Sequence, residues 1–209
     1  MTIDSLVAKI RVLEEELEEE LDQAIDGQRE RFEYEVGKKR VRFEQAVKQR
    51  HRQFKTGLFQ YLFESGFTTF FFSPLVYVLI FPLVLLDLFV TIFQFICFPV
   101  YGIEKVKRSD FIVLDRQHLA YLNAIEKLNC VYCSYANGLL AYIREIAGHT
   151  EEHFCPIKHA RRTKGQHPRY WSFAEYGDAQ GLANKEAEIT KKSLSRLKKR
   201  WNEPNGDQG

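Results

Sequence analysis

No stretch near the start of this chain has the form of a secretory leader, and four cysteines in 209 residues are too few for a disulfide scaffold. Charge is almost missing from Phe67 to Ile103, where 37 residues hold a single ionisable group, Asp87. The first two absences argue against a secreted, disulfide-stapled domain. The third is the mark of a segment that meets lipid. Outside this run the chain is polar, which is why the mean hydropathy of the whole is only −0.33.

The net charge of +2 conceals segregation. Residues 1–26 hold nine acids against two bases, residues 28–55 ten bases against four acids, and residues 158–201 twelve bases against four acids. Blocks of one sign suggest interaction surfaces. Beside an apolar run, basic blocks point first to cytoplasmic residence and anionic lipid headgroups, and second to a nucleic-acid backbone.

The spacing predicts an all-α chain in four parts. Residues 1–60 read as a coiled-coil or amphipathic helical arm. Ile3, Leu6, Ile10, Leu13 and Leu17 alternate spacings of three and four, the coiled-coil signature, and the Glu14–Glu20 cluster reads as a solvated face. An eleven-residue repeat then places Phe32, Phe43 and Phe54 at one position and Val36, Val47 and Leu58 four residues later. Eleven residues make three helical turns, so the stripe stays nearly straight. It could pair helices, which suggests a homo-oligomer, or lie on a bilayer surface.

Residues 67–103 are too long for one spanning helix and slightly short for two with a turn. Pro82 near the middle suggests a helical hairpin in the membrane, with one tilted or kinked span as the alternative. Phe, Leu, Ile and Val number 24 in this run, contributing about −7 to −14 kcal/mol to insertion against a cost of roughly 2.5 to 3.5 kcal/mol for Asp87. Asp87 could sit at the turn, face a partner helix or be protonated. Lys48, Arg50, Arg52 and Lys55 precede the run, and Lys105, Lys107 and Arg108 follow it, so both flanks are expected in the cytoplasm.

Residues 110–162 read as a small metal-stapled module. Two helices are expected, 115–129 capped by Asp115 and 138–154 opened by Gly138, joined by a segment that holds Cys130 and Cys133. Cys155 and His159 follow the second helix. C-x2-C with C-x3-H supplies three thiolates and an imidazole, the closed set of a structural zinc site. Iron is the alternative ion. Cys97, inside the apolar run, reads as a small apolar residue. His149, Glu152 and His153 match H-x-x-E-H, a zinc-protease pattern, but three fixed residues in five recur by chance and the chain lacks the large domain such enzymes need. Residues 163–180 read as a loop, 181–201 as a basic amphipathic helix with Ile189, Leu194, Leu197 and Trp201 among its apolar positions, and residues from Glu203 as a tail.

The segment YLNAIEKLNCVYCSYANG, with CPIKHA downstream, resembles a family of uncharacterised bacterial membrane-associated proteins. The resemblance covers about residues 98–162. It implies a bacterial inner-membrane setting and favours Cys130, Cys133, Cys155 and His159 as the residues that matter. The expected function is a non-enzymatic, membrane-anchored scaffold with anionic lipid and a protein as partners. The alternative is a metal-dependent enzyme or redox sensor using Cys130, Cys133, Cys155 and the face from Glu145 to His153.

Overall fold

The computed structural model describes residues 3–31, 34–36, 41–43, 45–55, 66–161 and 163–202. They form helix α1 (Ile3–Arg31), strands β1 (Tyr34–Val36) and β2 (Val41–Phe43), then helices α2 (Gln45–Arg52), α3 (Gly66–Val78), α4 (Ile80–Tyr101), α5 (Ala124–Phe154) and α6 (Ala179–Asn202). The chain is mostly helical, as expected, with one short antiparallel ribbon. It divides into two compact units, Met1–Pro74 with Leu114–Tyr132 and Leu75–Val113 with Cys133–Gly209.

In the first unit, α1 exposes Ile10, Leu13 and Leu17 of the stripe that its spacing marks out, and Leu21 and Ile25 beyond it. The eleven-residue repeat is not one continuous helix. Val36 pairs with Val41, Tyr34 with Phe43, and Glu35 with Arg42 across the ribbon. Val36 and Phe43 of the helical repeat also fit a period-two alternation with Tyr34 and Val41, and here the backbone takes the strand pairing. Val47 on α2 is buried, whereas Phe54 beyond it is exposed. Phe32 and Leu58 lie outside the described residues.

The hairpin expected over 67–103 is also corrected. Only Leu79 separates α3 from α4, with helical dihedrals of φ −62° and ψ −15°. The Leu83 N–H donates back to the Leu79 carbonyl at 3.3 Å. The chain therefore does not reverse at this point. Pro82 breaks nothing because it is the third residue of α4, where a backbone N–H has no intrahelical acceptor in any case. Residues Pro74–Tyr101 are long and apolar enough to cross a membrane.

Gly102 ends α4 in the left-handed region, φ +66°, and its N–H bonds to the Phe98 carbonyl. A Cβ there would stand 2.6 Å from the Ser193 carbonyl oxygen on α6, so this position demands glycine twice over. Residues beyond Gly102 return along α4 toward Arg108.

The pair of helices expected at 115–129 and 138–154 is a single helix, α5, of 31 residues. The cap is not Asp115, which makes no capping bond. It is Asn123, whose Oδ1 accepts from the Glu126 N–H at 3.0 Å while Glu126 Oε2 accepts from the Asn123 N–H at 2.7 Å. This reciprocal box satisfies two donors at once. Nothing between Asn129 and Asn137 breaks the helix, and Gly138 inside it has a packing use. A Cβ there would meet the Phe111 carbonyl oxygen at 2.5 Å, so glycine lets the returning segment lie against α5.

The core of the second unit is Phe98, Val106, Leu139, Tyr142 and Ile146, with Leu83, Val90 and Ile143 packed around it. The expected loop over 163–180 contains a short 3-10 turn, Pro168–Ser172. The basic C-terminal helix is present as α6. It buries Ile189 and Ser193 and leaves Leu194 and Trp201 exposed.

Candidate functional site

The distinctive geometry lies on α4. Its buried residues are Asp87, Gln94 and Phe98, two of them polar on a helix that is mostly apolar. Asp87 and Gln94 stand seven residues apart, two helical turns, and so share a face. Tyr135 and Tyr142 on α5 are also seven apart, and the tyrosines meet that face in order. Tyr135 donates its hydroxyl to Asp87 Oδ2 at 2.8 Å, and the Gln94 amide donates to the Tyr142 hydroxyl at 2.9 Å. Helices α4 and α5 therefore run parallel in one register.

The segment after Gly102 completes the same ladder. The Gln94 side chain imitates a strand partner: its Nε2 donates to the Val106 carbonyl at 3.1 Å and its Oε1 accepts from the Val106 N–H at 2.9 Å. Further along, Arg108 forms a salt bridge with Asp87, and Thr91 donates to the same carboxylate at 3.3 Å. Asp87 thus faces a partner helix, one of the three placements open to it from sequence. Burial first, and then the bond to Asp87, push the Tyr135 phenol above its ordinary range. Burial does the same to Tyr142. Each tyrosine stays protonated and able to donate.

Opposite this ladder, α4 presents apolar side chains along its length, among them Phe81, Leu85, Leu88, Phe89, Ile92 and Ile96, all at least 46% exposed. A groove of about 410 Å³ lies between α4 and α5, lined by Val90 and Phe93 from one helix and by Ile143, Ala147, Thr150, Glu151 and Phe154 from the other. The Lys105 ammonium stands 4.8 Å from the centre of the Phe95 ring, a cation over an exposed aromatic face.

The cysteine motif sits elsewhere and is not gathered. Cys130 and Cys133 lie within α5 rather than on a connecting knuckle, and Cys155 follows the last residue of the same helix. Twenty-two residues of helix separate Cys133 from Cys155, about 33 Å at 1.5 Å per residue. Zinc holds each sulfur at about 2.3 Å, so thiols so far apart cannot share an ion. His159 and Cys155 are both exposed. Among the described residues no three His, Cys, Asp or Glu side chains are grouped to hold a metal. The quartet Cys130, Cys133, Cys155 and His159 is not brought together in this arrangement.

Motif residues instead hold the chain together. Asn137 donates to the Cys133 carbonyl at 2.9 Å, while Tyr135 and Gly138 make the contacts with Asp87 and Phe111 given above. In CPIKHA, Pro156 is buried. The Lys158 N–H donates to the Ala174 carbonyl and the Ala174 N–H to the Pro156 carbonyl, both at 2.8 Å. The His159 N–H donates to the Tyr170 hydroxyl at 2.7 Å, and the two rings stack.

The face from Glu145 to His153 is tied down by ion pairs. Arg169 bridges Glu145 at 2.5 Å and Glu152 at 3.2 Å. His167, buried, meets Glu151 at 2.8 Å. His149 lies 3.5 Å from Glu145, and burial, then the charge of Arg169, hold its pKa below the ordinary histidine value. Burial also lowers His153. The rings of His149 and His153 lie against Phe98 and Tyr101 of α4. These contacts clamp the 163–173 segment onto α5.

Sequence reasoning missed the ladder of Asp87, Gln94, Arg108 and Tyr135. The available signal was Asp87-Thr91-Gln94, a polar stripe at spacings of four and three inside an apolar run. No protein-family model, curated protein or solved structure matches this chain.

Proposed function

We propose that this chain is a non-enzymatic, membrane-anchored interaction protein, held at a bacterial inner membrane with its polar parts in the cytoplasm. One observation carries the reading. Helix α4 buries its polar face and leaves its apolar face open, the reverse of a helix in a water-soluble domain. The resemblance of the 98–162 segment and the basic flanks support the bacterial, cytoplasmic setting. The exposed stripe on α1 supports self-association through a coiled coil, and the acidic and basic blocks support charged partners, anionic lipid first.

The test is flotation of the purified full chain with vesicles of phosphatidylcholine and phosphatidylglycerol, beside a Leu85→Glu/Leu88→Glu variant. Both leucines are 54% exposed, so the variant should fold. The wild type is expected to float and the variant to stay in the dense fraction with unchanged helical circular dichroism. A wild type that remains monodisperse without detergent and does not float defeats the reading.

A further inference from the structure

The geometry points to a particular seat: we propose that α4 lies in the plane of an anionic leaflet as a monotopic helix, its apolar face in the acyl boundary and α5 above it. The inference rests on the membrane reading and specifies how the membrane is met. It follows from a conflict between two simpler geometries and the features of the chain.

A hairpin needs a reversal, and the junction at Leu79 is helical. A single span needs its two flanks on opposite sides, yet Lys48–Lys55 and Lys105–Arg108 are both basic, the mark of cytoplasmic residence. A span through α4 would also draw its partners into hydrocarbon. Arg108 is bonded to Asp87 in the first half of α4. Because α5 runs parallel in register, Arg144, Glu145, Glu151 and Glu152 accompany the second half. Charges at that depth are expensive even when paired.

An in-plane helix meets every one of these conditions. Both flanks stay on one side without a turn. The ladder of Asp87 and Gln94 faces away from lipid. The apolar face is open from Phe81 to Val100. Lys105 over Phe95 puts a cation at the rim of the apolar face, where lipid phosphates stand.

Depth-dependent quenching decides the matter. Trp171 and Trp201 are replaced by Phe, and single probes are placed as Phe81→Trp, Phe89→Trp and Ile96→Trp in the full chain. Each is bound to phosphatidylcholine/phosphatidylglycerol vesicles brominated at successive acyl positions. Phe81 and Ile96 are about 22 Å apart along the helix axis. An in-plane α4 gives all three probes one shallow depth, about 5–10 Å into the headgroup and acyl boundary. A span gives depths differing by about 11 Å between neighbouring probes, which overturns the in-plane seat and leaves the membrane reading intact. No quenching at any position, with the chain sedimenting as an oligomer, means a second copy covers the face and overturns both readings. Leu85→Trp substitutes for any probe whose variant loses helical circular dichroism.

Discussion

Helices α1 and α4 are inversions of each other. In α1 the ground is polar and the apolar residues form a narrow exposed stripe. In α4 the ground is apolar and the polar residues form a narrow buried stripe, each member hydrogen-bonded. The difference teaches what surrounds each helix. A polar helix with an open apolar stripe is incomplete until another helix covers it. An apolar helix whose polar stripe is already satisfied is complete in an apolar medium and incomplete in water, because an unpaired polar group is costly in lipid while an apolar side chain there costs nothing.

That comparison breaks most directly at Gln94. Replacing it by Leu keeps the volume but strips the Val106 N–H and carbonyl of their partner inside a buried site. Each orphaned group costs about 1–3 kcal/mol. Thermal unfolding of Gln94→Leu in detergent is therefore expected to show a loss of about 3 kcal/mol. Phe89→Leu on the opposite face, 63% exposed, is expected within about 0.5 kcal/mol of wild type. Equal effects at the two positions would mean that α4 has no polar inside and apolar outside. The result thus tests the ladder itself and not merely the packing around it.

A smaller effect of fixed sign is expected from the histidines of α5. Folding holds His149 and His153 below their ordinary pKa by burial, so at mildly acid pH the unfolded chain binds more protons than the folded one. Stability therefore rises with pH through the window below about 6.5, the unfolded histidine value, and is lost as pH falls through it. Glu145, Glu152 and Glu104 act on His149 in the opposite direction, and Arg169 in the same one. Unfolding midpoints at mildly acid and neutral pH check the sign. His149→Gln should flatten the slope, and an unchanged slope would remove His149 as its source.

Much of this architecture was legible because it is written in periodicity. The acidic N-terminal helix, the apolar run and the basic C-terminal helix follow from spacing and composition. Other parts were hidden. Val36 and Phe43 satisfy both a helical repeat and a strand alternation, and the backbone pairing decides between them. Cys130 and Cys133 have metal-ligand spacing, but i,i+3 is also the spacing of neighbours on a helix face. Only the Asn123–Glu126 box and the uninterrupted register to Phe154 reveal that one helix contains both. Asp87 showed as an anomaly whose partner, Arg108, lay 21 residues away beyond a glycine cap.

The smallest effect expected is none at all, on chelation. If α5 is continuous, Cys133 and Cys155 stand at opposite ends of about 33 Å of helix, and their ion-binding partners must be sought separately or not at all. Incubating the purified, reduced chain with EDTA should then leave its unfolding midpoint unchanged, and Cys133→Ser should behave as a surface substitution, within about 0.5 kcal/mol. A structural ion contributes its binding free energy to folding, so a true Cys3His site would lose many degrees on chelation. Zinc at one per chain together with such a loss would require α5 to break between Cys133 and Cys155. It would also part Tyr142 from Gln94 or move both, and the ladder that distinguishes α4 from α1 would have to be rebuilt around the metal.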